Sequence, residues 1–180
     1  MAKLNEKNII KKILTQIPII LLFISVLNNF DFNYLNLKYF SFNFSYILIF
    51  YFSLKRNSSL GYSFIFIAGL FNDVVNGTPI GMSSLIFLLL CGVAAYLRAI
   101  TLRKSLIKDW ISFVLTILMI NSLSFVIFNL FFNYEVSYIS QMVNVVFTSL
   151  LYFIFSFLFN FIEGNFNVRW RLRSKKNSYH

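Results

Sequence analysis

Reactive side chains are scarce in this chain, and the densest group of polar and conformationally special residues lies between Gly69 and Leu85, in "GLFNDVVNGTPIGMSSL". Catalysis there would need a base or a nucleophile beside Asp73. The single histidine, His180, lies at the very end of the basic tail, far in sequence from Asp73, so no His-based dyad, no H-E-x-x-H helix and no haem-type ligand set is expected. Serines are plentiful, but no general base stands at a spacing that would orient one, and no glycine-rich phosphate loop is present. The one cysteine, Cys91, has no second cysteine for a disulfide or a thiolate metal cluster. The chain therefore reads as non-enzymatic, with no cofactor and no metal.

Asp73 asks for a different account. It sits near the end of an apolar run, where a carboxylate opposes the helix macrodipole. The next run can compensate. Thr78-Pro79 reads as an N-cap followed by proline at the first helical position, and the free amides there can receive the Asp73 carboxylate. Asn76-Gly77 tolerates positive φ, and Gly81 permits close approach. Gly69, Asp73, Gly77, Pro79 and Gly81 thus form either a structural clasp or a contact for a partner or ion.

Two further faces stand out. Gly81, Ser84, Gly92, Ala95 and Ala99 recur at helical spacing, interrupted by Leu88, with a weaker counterpart in Gly61, Ala68 and Asn72. Small residues let two backbones approach, which predicts an antiparallel hairpin of the third and fourth apolar runs; the alternative is a face reserved for another protein's helix. Gln141, Asn144, Thr148, Tyr152, Ser156, Asn160 and Glu163 make a polar stripe along the sixth run. Turned to lipid, each unsatisfied group would cost roughly 1 to several kcal/mol. The stripe is expected to face the bundle interior, a solute pocket or a polar seam for a partner helix.

The elements that position these residues are membrane helices. Of 180 residues, 58% are apolar and only 12% charged, against roughly 25% charged in soluble domains. Six apolar spans are expected at about 13–27, 37–54, 58–75, 80–97, 110–132 and 138–162. A lysine-rich start before a short first run resembles a signal peptide, but "NNFDFNY" after Leu27 offers no small-residue cleavage site, so a membrane helix is expected. With both termini inside, fifteen of the sixteen bases fall on the cytoplasmic side, leaving Lys38 outside to snorkel. The expectation is a single all-α membrane domain: a six-transmembrane-helix bundle, N-in and C-in.

Little is left outside the bilayer. The first outer loop, Asn28 to about Asn36, reads as an aromatic belt, and Trp110 ends the longest inner loop, Arg98 to Asp109, as an interfacial anchor. Residues 164–180 read as a basic cytoplasmic tail on the membrane surface, with a docking strand as the alternative. The net charge of +10 is assigned to anionic lipid rather than nucleic acid, because the bases flank apolar spans. The 24 phenylalanines fit AT-rich codon usage and carry little functional weight.

The order of Gly69, Asp73, Gly77, Pro79 and Gly81 resembles the signature of the bacterial rod-shape-determining MreD family, roughly G-x-x-x-D-x-x-x-G-x-P-x-G before an apolar helix. Chain length, six spans and the basic segment after the fourth resemble it too. The resemblance implies a non-enzymatic scaffold of the elongation machinery in the cytoplasmic membrane. Its partners would be MreC, the RodA glycosyltransferase with its penicillin-binding transpeptidase, and indirectly MreB. The family is also similar in architecture to the S-components of energy-coupling-factor transporters, which keeps a small-molecule-binding transporter subunit as the alternative. The first span, "ILTQIPIILLFISVL", departs from the alanine repeats expected of an S-component coupling helix.

Overall fold

The computed structural model describes residues 16–27, 42–55, 60–100, 105–132 and 138–176. Among them the only regular structure is helical: α1 (Gln16–Leu27), α2 (Phe44–Lys55), α3 (Tyr62–Asn76), α4 (Met82–Ile100), α5 (Leu106–Phe132) and α6 (Tyr138–Lys176). Helices satisfy their own backbone groups, which is what a nearly charge-free sequence needs in hydrocarbon. α4, α5 and α6 are long and apolar enough to cross a membrane. α3, at 15 residues, extends about 22 Å, short of a core about 30 Å thick.

The helix ends depart from the expected spans for local reasons. α3 starts at Tyr62 rather than at 58, because Gly61 is extended at φ −70° and ψ 140°. α5 begins at Leu106, four residues before Trp110, with the Asp109 amide bonded to the Ser105 carbonyl at 3.0 Å. α4 runs on to Ile100, so the Arg98–Asp109 connection is shorter than its composition suggests. α6 continues through the basic segment to Lys176, so no strand forms there; its arginines and lysines are good helix formers and no proline interrupts them. Residues 37–41 of the second span, the Asn28–Asn36 loop with Lys38 beyond it, and residues 177–180 lie outside the described residues.

α2 is the central helix. Ser45 and all eight residues from Ile47 to Leu54 are buried, as expected of a helix apolar on every side. It packs against α4 and α6, and on α1 the Ser25 and Ser45 hydroxyls share a hydrogen bond of 2.8 Å. A three-ring cluster ties α2 to α5 and α6: Phe50 meets Phe113 edge-on at 5.1 Å, and Phe113 stacks on Tyr152 at 4.1 Å. Outward faces stay apolar. Val74, Leu115, Met119, Leu130, Phe157 and Phe161 are all exposed, more apolar surface than water tolerates and what lipid contact requires. The architecture supports membrane association.

Candidate functional site

The Gly69–Leu85 stretch folds into a clasp at one end of the bundle. α3 ends in a left-handed cap, with Gly77 at φ 63° and its amide bonded to the Asp73 carbonyl. Thr78 N–H donates to the same carbonyl at 3.0 Å. An L-residue with a side chain pays to enter this region, so glycine is the natural occupant. Gly81, at φ 98°, is the second left-handed position and stands immediately before α4.

Asp73 is almost fully buried, and both its oxygens are used. Oδ1 accepts from the Thr78 hydroxyl and from the Ser83 amide, each at 2.9 Å, and Oδ2 accepts from the Gly81 amide at 2.7 Å. A helix start leaves several N–H groups without intrahelical partners. Here a carboxylate from α3 caps α4, so the macrodipole that disfavours Asp73 in its own helix favours it in the next. The expected N-cap is corrected: α4 starts at Met82, and Thr78 acts as a donor to Asp73 instead. Pro79 lies in the preceding turn, its carbonyl accepting the Met82 amide at 3.2 Å.

Close approach explains Gly69. A Cβ built there would lie 2.5 Å from Ser84 N and 2.7 Å from Ser84 Oγ, too near for any real contact with a neighbouring helix backbone. Ser84 Oγ donates to the Phe66 carbonyl at 2.9 Å, and Asn72 Nδ2 donates to Ser83 Oγ at 2.8 Å. Overpacking between rigid elements costs about 1 to 3 kcal/mol and at times more. Gly69→Ala is therefore expected to lower the thermal unfolding midpoint in detergent, and Gly69→Val to lower it further. Unchanged midpoints would mean that α3 and α4 sit further apart than described.

The small-residue face divides in two. Ser84 packs on α3, but Gly92 has open space where a Cβ would stand and Ala99 is exposed; the close approach expected at Gly81 is corrected, since a Cβ there also meets nothing within 4 Å and its glycine serves the positive φ. Phe66, Leu85, Leu89, Gly92, Val93 and Tyr96 instead line an apolar groove of about 670 Å³. On α3 the face expected from Gly61, Ala68 and Asn72 is shifted: Ala68 is buried, Gly61 is exposed, and the closest approach falls at Gly69. Fractional helical spacing places adjacent positions on neighbouring faces, and only the packed structure selects between them.

The α6 stripe turns inward. Asn43, just before α2, donates through Nδ2 to Asn144 Oδ1 and through its amide to Thr148 Oγ1, both at 3.0 Å. Tyr51 OH donates to Asn160 Oδ1 at 3.1 Å. Thr148, Tyr152 and Ser156 are buried. The Tyr152 hydroxyl and Ser156 Oγ, one turn apart, make no hydrogen bond of good distance and angle to any described residue. Gln141 and Asn144 border a small cavity. The Glu163 side chain lies outside the described residues.

One pair escaped the sequence reading. Lys55 Nζ, at the end of α2, meets Asp109 Oδ2, in the first turn of α5, at 3.0 Å, with the side chains only 10% and 7% exposed. Nζ also lies 5.9 Å from the Tyr51 ring centre. The signal was present in sequence as a lone acid among bases at the same boundary. Nearby, Arg98 Nη1 donates to the Ser53 carbonyl at 2.8 Å and Ser53 Oγ contacts Cys91 Sγ at 3.2 Å. Trp110, expected as an interfacial anchor, sends its indole N–H to the Ser149 carbonyl at 2.8 Å and so also joins α5 to α6.

Chemically the clasp and stripe hold helices together. No group of three or more His, Cys, Asp or Glu able to hold a metal occurs among the described residues. The chain matches no family model, and comparison with curated proteins and with solved structures gives no match.

Proposed function

We propose that this chain is a six-span membrane scaffold of the bacterial elongation machinery, of the MreD kind, with both termini in the cytoplasm. In this reading it sits in the cytoplasmic membrane and holds MreC together with the RodA glycosyltransferase and its penicillin-binding transpeptidase, so directing sidewall peptidoglycan synthesis and rod shape. MreB is engaged indirectly.

The single observation that carries the reading is the motif, since each of its glycines and its aspartate has a physical task in one hairpin. Gly69 admits Ser84, Asp73 caps α4, and Gly77 and Gly81 take positive φ. An ordered set of constrained positions is harder to assemble by chance than a composition bias. The topology has separate support. Lys55, Arg98 and Lys108 stand at the ends of α2 and α4 and the start of α5, while the clasp joins the end of α3 to the start of α4, at the opposite end of the bundle. Positive charge gathered at one end fits a cytoplasmic face.

The test is affinity capture of the tagged full-length chain from native membranes, paired with depletion in the same cells. The scaffold predicts co-purification of a single-span protein with a periplasmic coiled coil, and rounded cells on depletion. Normal rods and no such partner would overturn it.

A further inference from the structure

The cavity at the clasp end of the bundle is not used by the scaffold reading. It has a volume of about 180 Å³ and lies among the starts of α2, α4 and α6 and the last turns of α5. Its polar wall consists of Asn43, Asn121, Gln141, Asn144 and Ser124. Four carboxamides around one space are costly in a membrane protein unless something meets them. Internal bonds use only part of their capacity: Asn43 gives one amide proton to Asn144, and Asn121 gives one to the Ile117 carbonyl at 2.9 Å. The Asn43 and Asn121 side-chain oxygens, and the whole Gln141 carboxamide, make no hydrogen bond to any described residue. A carboxamide both donates and accepts, so this wall complements hydroxyl groups.

Tyr46, Phe128 and Ile86 complete the lining among the described residues. The Tyr46 and Phe128 rings and the Ile86 side chain suit C–H surface, and Tyr46 also carries a hydroxyl. Among the described residues no carboxylate, ammonium or guanidinium borders the space, so they offer an ion no charged partner to offset its desolvation. Size narrows the choice further. At about 30 Å³ per water the cavity takes roughly six water-sized groups, fewer than a drug-sized ligand pocket of about 300 to 1,000 Å³ accommodates.

We infer that this cavity is a binding site for a small uncharged polyol of about glycerol size, with its hydroxyls on Gln141, Asn121 and Asn43 and its carbon skeleton against Tyr46 and Phe128. Binding here is independent of the scaffold reading, because partner capture tests the one and ligand saturation tests the other.

Saturation-transfer NMR on the full-length chain in lipid nanodiscs, with glycerol as the probe and glycolate as a charged control of similar size, decides the matter. Glycerol is expected to receive saturation that levels off in the millimolar range, at least five-fold more strongly than glycolate. Gln141→Leu and Asn121→Leu should each weaken it five-fold or more, while Leu130→Ala, on an exposed face, leaves it unchanged. Transfer that never saturates, that is equal for glycolate, or that survives both leucine substitutions in folded protein would overturn the proposal. Should both leucine variants fail to fold, the wild-type preference between glycerol and glycolate decides alone.

Discussion

Asp73→Ala is expected to unfasten the α3–α4 hairpin and to be among the most destabilising single substitutions in the chain. It removes the acceptor for the Thr78 hydroxyl and for the Gly81 and Ser83 amides. Each buried donor left unsatisfied costs about 1 to 3 kcal/mol, and since the three share one partner their losses do not simply add. A total on the order of 3 to 6 kcal/mol follows. Asn is no rescue. Its carbonyl can serve one side of the clasp, but its NH₂ then faces a donor on the other. Asp73→Asn should therefore lose most of what Asp73→Ala loses, whereas Thr78→Val, which removes one of the donors, should cost only about 1 kcal/mol. Unfolding midpoints in mild detergent check the series. Equal stability of wild type and Asp73→Ala would show that the carboxylate does not hold α4.

Asp109→Ala is the second large effect, and it arises at the opposite end. The substitution leaves Lys55 buried, with the Tyr51 ring as the remaining partner of its ammonium among the described residues. Removing one partner of a buried pair costs roughly 3 to 5 kcal/mol, because the remaining charge is uncompensated. The same physics predicts the remedy. Lys55→Met combined with Asp109→Ala removes both charges and should recover a large part of the loss, since a buried pair is often no better than an apolar replacement. A double variant as unstable as Asp109→Ala alone would mean that Asp109 acts through something other than Lys55. Its place in the first turn of α5, where the dipole favours a carboxylate, is the obvious alternative source of stabilisation.

How much of this was legible in the sequence follows from the range of each interaction. Helical character was readable throughout, because long charge-free runs in lipid leave few other ways to satisfy a backbone. The contacts within the hairpin were readable as well, since Asp73, Thr78, Gly81 and Ser83 lie within ten residues of one another and turn chemistry constrains them tightly. Even there the detail shifted. Thr78-Pro79 has the residue types of a helix start, yet α4 begins at Met82, because a carboxylate from the neighbouring helix is a better cap than the local hydroxyl.

Long-range partners were not readable. The α6 stripe announced that it would turn inward, but nothing in its spacing named Asn43 or Tyr51 as the residues it would meet. Gly92 and Ser84 occupy the same small-residue series, yet one faces an open groove and the other packs against Gly69. Lys55 and Asp109 are separated by two helices and three connections, and only the placement of α2 in the centre of the bundle brings them together. Composition hid this placement, since α2 is no more apolar to the eye than its neighbours.

The most direct test of the account is hydrogen exchange at the Gly81 and Ser83 amides, measured on the full-length chain in nanodiscs. If Asp73 caps α4, both amides exchange slowly in the wild type and approach loop-like rates in Asp73→Ala, while amides in the middle of α4 change little. Rapid exchange at Gly81 and Ser83 in the wild type, or protection that persists after Asp73 is replaced, would contradict the clasp and with it the structural reading of the motif.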